Sequence, residues 1–147
     1  MKKWMFFYLV LWIMVGCQSL DKEETNPMNE SSEKVAGDIE ATLTQLTITS
    51  PIQFVYEVKN QSEKYVAFTF PTGQTFEHEL RNENGELIER YSDGKMFTQA
   101  VRMLKLAPGK SFTHMMSFDL EPGTYTLTVW LTCYDETYPR TATFTVR

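Results

Sequence analysis

From Ile39 to the end of the chain, apolar and polar residues alternate with a period of two, and this pattern constrains the fold more than any other feature. In Ile52–Lys59 the even positions, Ile52, Phe54, Tyr56 and Val58, are apolar and most odd ones are polar. The clearest stretch follows Glu121-Pro122-Gly123. There Tyr125, Leu127, Val129, Leu131 and Cys133 share one phase and Thr124, Thr126, Thr128 and Thr132 the other, with Trp130 the exception. Period two is the signature of a strand whose successive side chains point to opposite faces, and β-branched threonine suits such a surface. Phe76, His78 and Leu80 alternate with Thr75, Glu77, Glu79 and Arg81 in the same way, as do Ala142, Phe144 and Val146 near the end. No stretch of this region carries a convincing 3.6-residue period.

Turn chemistry divides the pattern. Asn84-Gly85 predicts a type I′ hairpin, in which both central residues take φ > 0. Ala107-Pro108-Gly109 separates another pair of strands, Val101–Leu106 and Ser111–Leu120. About nine strands, with turn signals every 8–12 residues or so, predict an all-β, antiparallel β-sandwich.

The beginning of the chain reads differently. Met1-Lys2-Lys3 is basic, and Trp4–Val15 is a run of twelve apolar residues. A helix needs about 20 residues to span a bilayer, so residues 1–16 read as a signal peptide rather than an anchor. Val15-Gly16-Cys17 resembles the lipobox of bacterial lipoproteins, with Met14 where a leucine is usual. The resemblance implies cleavage before Cys17, acylation of Cys17, and a lipid-anchored location on the extracytoplasmic face of the cell membrane. Residues 17–37 then form the lipidated cysteine and a flexible tether. Gln18–Gly37 has five acidic residues and no apolar period, and as a coil it would span roughly 25 Å. Residues 38–147 remain for the folded domain, enough for one core. With Cys17 acylated, Cys133 has no partner for an intrachain disulfide.

Charge narrows the partners. The formal net charge is −5, and losing Lys2 and Lys3 with the leader makes it more negative. An acidic domain without a basic stripe is a poor ligand for phosphate backbones, so nucleic acid is excluded as a partner.

The inventory for catalysis is thin. His78 and His114 both fall in the apolar phase of their strands and read as packed core or edge residues. No third or fourth ligand stands at coordinating spacing, so neither a metal nor another cofactor is expected. Ser92, Asp93 and His114 could be assembled on paper into a triad, but nothing supplies the strained nucleophile turn such a site needs. The chain does not read as an enzyme. Cys133 reads as a buried, inert thiol, and Asp135–Arg140 as a solvated hairpin loop.

One segment stands apart, Tyr91-Ser92-Asp93-Gly94-Lys95-Met96-Phe97-Thr98-Gln99-Ala100. Ser92-Asp93-Gly94 is turn chemistry, yet Met96 and Phe97 follow at once. Either Phe97 plugs the core while Ser92 and Asp93 cap backbone groups, or a rigid loop presents Lys95 and Met96 to a partner.

This segment also carries a family resemblance. Its run, preceded by Phe70-Pro71-Thr72-Gly73-Gln74-Thr75-Phe76 and Arg81–Leu87, is followed by Leu106-Ala107-Pro108-Gly109 and Leu120-Glu121-Pro122-Gly123-Thr124-Tyr125. Together these resemble the intracellular proteinase inhibitor family, BsuPI, of Bacillus-type bacteria, over roughly Phe54–Val146. Tyr91 departs from the tryptophan expected there. The resemblance implies an immunoglobulin-like β-sandwich and inhibition of a serine proteinase such as a subtilisin, although the family name says intracellular and the leader says exported. It supplies no reactive loop. Ser92, Asp93, Gly94, Lys95, Met96 and Phe97 are the candidate contact loop, with Met96 and Phe97 the side chains a subtilisin-like pocket favours. The function expected is a membrane-anchored lipoprotein that binds and inhibits such a proteinase; the alternative is a non-inhibitory interaction module of the cell envelope.

Overall fold

The computed structural model describes residues 38–147. The leader 1–16, the lipidation site Cys17 and the tether to residue 37 lie outside the described residues. Nine strands follow in order: β1 (Ile39–Gln45), β2 (Ile52–Asn60), β3 (Val66–Phe70), β4 (Phe76–Asn82), β5 (Leu87–Arg90), β6 (Arg102–Leu106), β7 (Ser111–Phe118), β8 (Gly123–Leu131) and β9 (Arg140–Val146). Among the described residues there is no helix. Every pairing is antiparallel.

Three sheets form, in the orders β1-β2-β7, β3-β6 and β5-β4-β8-β9. The first and last face each other. Phe54 on β2 packs against Phe144 on β9 with ring centroids 4.9 Å apart, and Phe76 on β4 meets His114 on β7 at 3.6 Å. The fold is therefore an antiparallel β-sandwich. The alternation in the sequence becomes the two sides of each sheet. Ile52, Phe54, Tyr56 and Val58 from β2 and Leu127, Val129 and Leu131 from β8 are all fully buried, each such aromatic or aliphatic side chain contributing about 1.5–3 kcal/mol. On the opposite side of β8, Thr124, Thr126 and Thr128 stand across from Thr145, Thr143 and Thr141 of β9, with hydroxyls 3.4, 3.1 and 3.0 Å apart.

Two local expectations are corrected. The hairpin between β4 and β5 is not type I′, because of its central pair only Gly85 has positive φ, at 80°. The Gly85 N–H donates to the Asn82 carbonyl at 3.0 Å, and the Asn82 side-chain oxygen accepts from the N–H groups of Asn84 and Glu86. Glu83 and Asn84 thus occupy the turn and Gly85 the left-handed position after it, the three-residue hairpin geometry. The second correction concerns β6 and β7, which Ala107-Pro108-Gly109 joins without pairing them. β6 pairs with β3, and β7 with β2.

Asn60 holds that crossover. It is fully buried, and its amide donates to the carbonyls of Lys64 and Leu106 at 2.7 and 2.9 Å. Its side-chain oxygen accepts from Ser62, and its backbone exchanges hydrogen bonds with Gly109 and Lys110. A buried amide so placed has no unsatisfied group to destabilise the fold.

Candidate functional site

The candidate loop runs from the end of β5 to the start of β6, and its first brace comes from a side chain that the alternation assigns to solvent. Glu77 lies on the outward phase of β4, opposite Trp130 of β8, yet it is buried. Its Oε1 accepts hydrogen bonds from the N–H groups of His78 at 3.0 Å and Ser92 at 3.1 Å, and its Oε2 accepts from Gln74 Nε2 at 3.0 Å. Burial alone would raise the Glu77 carboxyl pKa, but the hydrogen bonds from Ser92, Gln74 and His78 outweigh it and hold it below the usual carboxylate range.

Tyr91 supplies the second brace. Its N–H donates to the His78 carbonyl at 3.1 Å, extending the β4–β5 pairing by one residue. Its ring packs against Phe76 at 4.2 Å, within reach of His78 and His114 at 5.7 and 6.0 Å. The loop folds back onto this same residue twice. Lys95 Nζ sits 4.0 Å from the centre of the Tyr91 ring and donates to the Tyr91 carbonyl, and the Phe97 ring lies 6.1 Å from it. Tyr91, not Phe97, is therefore the aromatic residue that plugs into the core; Phe97 is half-buried on top of it. Lys95 is turned back onto the loop rather than presented outward.

Two overlapping turns shape the stretch between these contacts. The Asp93 N–H donates to the Arg90 carbonyl and the Lys95 N–H to the Ser92 carbonyl, both at 3.1 Å. Gly94 takes φ of 70°, a left-handed conformation that other residues adopt only with strain. Arg90 itself is fixed by Glu79, which also pairs with Arg81 at 2.7 Å, and the hydrogen bonds from Arg81 and Arg90 hold the Glu79 carboxyl low.

The far end of the loop is tied to the β3–β4 connection, where the Gly73 N–H donates to the Thr98 carbonyl at 2.9 Å. A Cβ on Gly73 would lie 2.5 Å from Thr98 Oγ1, so any other residue here makes the Thr98 side chain shift. Between the braces stands Met96, 99% exposed. Of the six candidate residues, the fold ties down Ser92, Asp93, Gly94, Lys95 and Phe97 and leaves the Met96 side chain free.

The histidines lie beneath the loop. His78 is 4% exposed, with Nε2 3.1 Å from Glu89 Oε1 and no partner for Nδ1. Burial lowers its pKa from the ordinary histidine value although Glu89 and Glu77 pull the other way. Burial, with His78 nearby, lowers His114 to about 4. Both imidazoles are therefore neutral at pH 7. Among the described residues no group of three or more His, Cys, Asp or Glu side chains is placed to hold a metal ion.

The other polar loop, between β8 and β9, is pinned to the core. The Tyr56 hydroxyl donates to the Tyr138 carbonyl at 2.7 Å, the Tyr138 ring meets Phe68 edge-on at 5.9 Å, and Arg140 Nε donates to the Ala41 carbonyl at 2.8 Å. Cys133 is buried there, its thiol donating to the Glu136 carbonyl at 3.1 Å and its pKa raised by that burial. These contacts are structural. The bracing residues Glu77 and Gly73 escaped the sequence reading. No local signal marks Glu77, which lies in the polar phase of its strand; for Gly73 the signal was a glycine in the stretch Phe70–Phe76.

A family model described as BsuPI, intracellular proteinase inhibitor, matches residues 39–136. No curated protein matches the chain. Solved structures similar to it include β-glucosidase 3B from Thermotoga neapolitana in complex with glucose, 13% identical over 73% of this chain and 15% of that one, with a TM-score of 0.41. A β-glucosidase from Kluyveromyces marxianus is 17% identical over 74% and 14%, with a TM-score of 0.42. One from Listeria innocua is 12% identical over 84% and 20%, with a TM-score of 0.41. The chain spans no more than a fifth of the length of these enzymes.

Proposed function

The chain belongs to the BsuPI family of intracellular proteinase inhibitors, and on that premise we propose that its β5–β6 loop docks a serine proteinase of the subtilisin type, with Met96 entering the enzyme's main specificity pocket. The observation that carries this reading is the contrast within three residues. Met96 is wholly exposed, while Lys95 and Phe97 on either side rest on Tyr91. A loop already held in one shape loses little conformational freedom on docking, where each newly ordered side chain would otherwise cost about 0.5–1.5 kcal/mol. The Gly73–Thr98 and Glu77–Ser92 hydrogen bonds hold its two ends. Residues beside the loop on β4, β5 and the β3–β4 connection supply the rest of a contact, which for protease–inhibitor pairs buries about 1,600 Å² in total. The protein performs no reaction in this reading.

The test is a titration of residual activity. The full chain is added to a subtilisin-type enzyme, beside a Met96→Asp variant that puts a charge where the pocket is apolar. The parent is expected to inhibit at micromolar concentration or below, and the variant to fail while its thermal midpoint is unchanged. No inhibition by the parent would remove this reading for that enzyme class and favour a non-inhibitory envelope module.

The location we propose is the outer face of the cell membrane, through lipid on Cys17, with residues 18–37 as tether and 38–147 as the folded domain. The support is the Val15-Gly16-Cys17 run after an apolar segment. One acyl chain binds a membrane only marginally and two or more hold it. Labelled palmitate should enter the parent and not a Cys17→Ser variant.

A further inference from the structure

We propose that Met96 is a redox switch on this docking loop: a peroxide converts its thioether to the sulfoxide and turns inhibition off, and reduction by a dithiol, which carries the oxygen away as water and becomes a disulfide, restores it. The proposal rests on the loop reading above and adds its regulation. Among the described methionines, Met116 is buried, Met103 and Met115 are 57% and 62% exposed on strands β6 and β7, and Met96, at 99%, is the most exposed. Susceptibility of a thioether to oxidant follows exposure, so Met96 reacts first. The free thiol Cys133 is no competitor, being buried and hydrogen-bonded to Glu136.

The surroundings make oxidation a switch rather than damage. The loop's shape is set by Tyr91, Glu77, Gly73 and the turns at Arg90–Lys95, and none of these contacts involves the Met96 side chain. Adding an oxygen to the sulfur therefore leaves the fold intact and changes only what is offered to a partner. In the step, the sulfur lone pair attacks one oxygen of hydrogen peroxide. An S–O bond forms, the O–O bond breaks, and the leaving hydroxide takes the remaining peroxide proton to become water. Sulfur is oxidised by two electrons and the peroxide reduced by two. The product is a polar, chiral side chain where a flexible apolar one stood. Placing an unpartnered S=O in an apolar pocket should weaken docking roughly tenfold to a hundredfold.

The experiment treats the full chain with hydrogen peroxide and follows Met96, Met103 and Met115 separately by peptide mass mapping. Inhibition of a subtilisin-type enzyme and the thermal midpoint are measured on the same samples. The expected result is a rise in Ki of tenfold or more that tracks Met96 sulfoxide, an unchanged midpoint, and recovery on treatment with methionine sulfoxide reductase. A Met103→Leu, Met115→Leu variant, which keeps Met96 and changes the other two exposed described methionines, should inhibit like the parent and lose inhibition to peroxide as the parent does. Unchanged inhibition with Met96 fully oxidised, or protection from peroxide in the Met103→Leu, Met115→Leu variant, would overturn the switch and leave the loop reading standing. No inhibition by the untreated chain would overturn the loop reading and the switch with it.

Discussion

Replacing Glu77 with alanine removes a single carboxylate that holds three donors, the N–H groups of His78 and Ser92 and the amide of Gln74. A hydrogen bond to a charged group is worth about 1.5–3 kcal/mol. Ser92 and Gln74 are half-buried and recover water as a partner, whereas the N–H of the buried His78 recovers much less. The net loss is therefore about 2–4 kcal/mol rather than the sum of three bonds. With a urea dependence of about 1–3 kcal/mol per molar, the unfolding midpoint should fall by about 1–2 M. Glu77→Gln keeps an acceptor for Ser92 and His78 and should lose about half as much. The pH dependence has a definite sign. Because the folded carboxyl lies below its unfolded value near 4.3 or so, its stabilisation is complete above that value and is lost as the pH falls through the lower folded one. The gap between the parent and Glu77→Gln should thus narrow once the pH falls below the unfolded value of about 4.3. An alanine midpoint within about 0.3 M of the parent at pH 7, near the precision of linear extrapolation, would refute the idea that this carboxylate braces the loop.

The Cβ of Gly73→Ala would stand 2.5 Å from Thr98 Oγ1 and push it aside, weakening both the thermal midpoint and inhibition, and adding Thr98→Ala should recover much of the loss in a melting and titration series. His78 and His114 both have pKa values below that of the unfolded chain, so their contribution is complete above about pH 6.5 and is lost as the pH falls through the lower folded values, about 4 for His114. Urea midpoints across that range should fall with a slope that approaches about 1.4 kcal/mol per pH unit for each proton taken up, and His114→Phe should flatten the slope. Cys133 should resist a disulfide-exchange reagent in the native chain and react fully in denaturant, because it is buried and its thiol pKa is raised.

The layers of the sandwich were legible because alternation reports directly which side of a strand faces the core. The phases of β2, β4, β8 and β9 match their burial almost residue by residue. Partners were not legible, since the same alternation fits any neighbour. Nothing in the alternation marks β6 as the partner of the unrecognised β3 rather than of β7, which follows it in the chain. Glu77 defied its phase because the chain after β5 bends over the outer face of β4, a tertiary event without local trace. At the β5–β6 loop, turn residues beside apolar ones singled the segment out as a candidate, but which of Met96 and Phe97 stays exposed was not legible, because it depends on Tyr91 filling the position that Phe97 would otherwise claim.

The contact between this chain and a proteinase can be read directly. Hydrogen exchange of the full chain, alone and with a subtilisin-type enzyme whose nucleophilic serine is replaced by alanine, reads this contact without cleavage. Slowed exchange confined to residues 91–98 and the neighbouring 71–75 is the predicted outcome. Slowing on the threonine face of β8 and β9, with the loop unchanged, would contradict it.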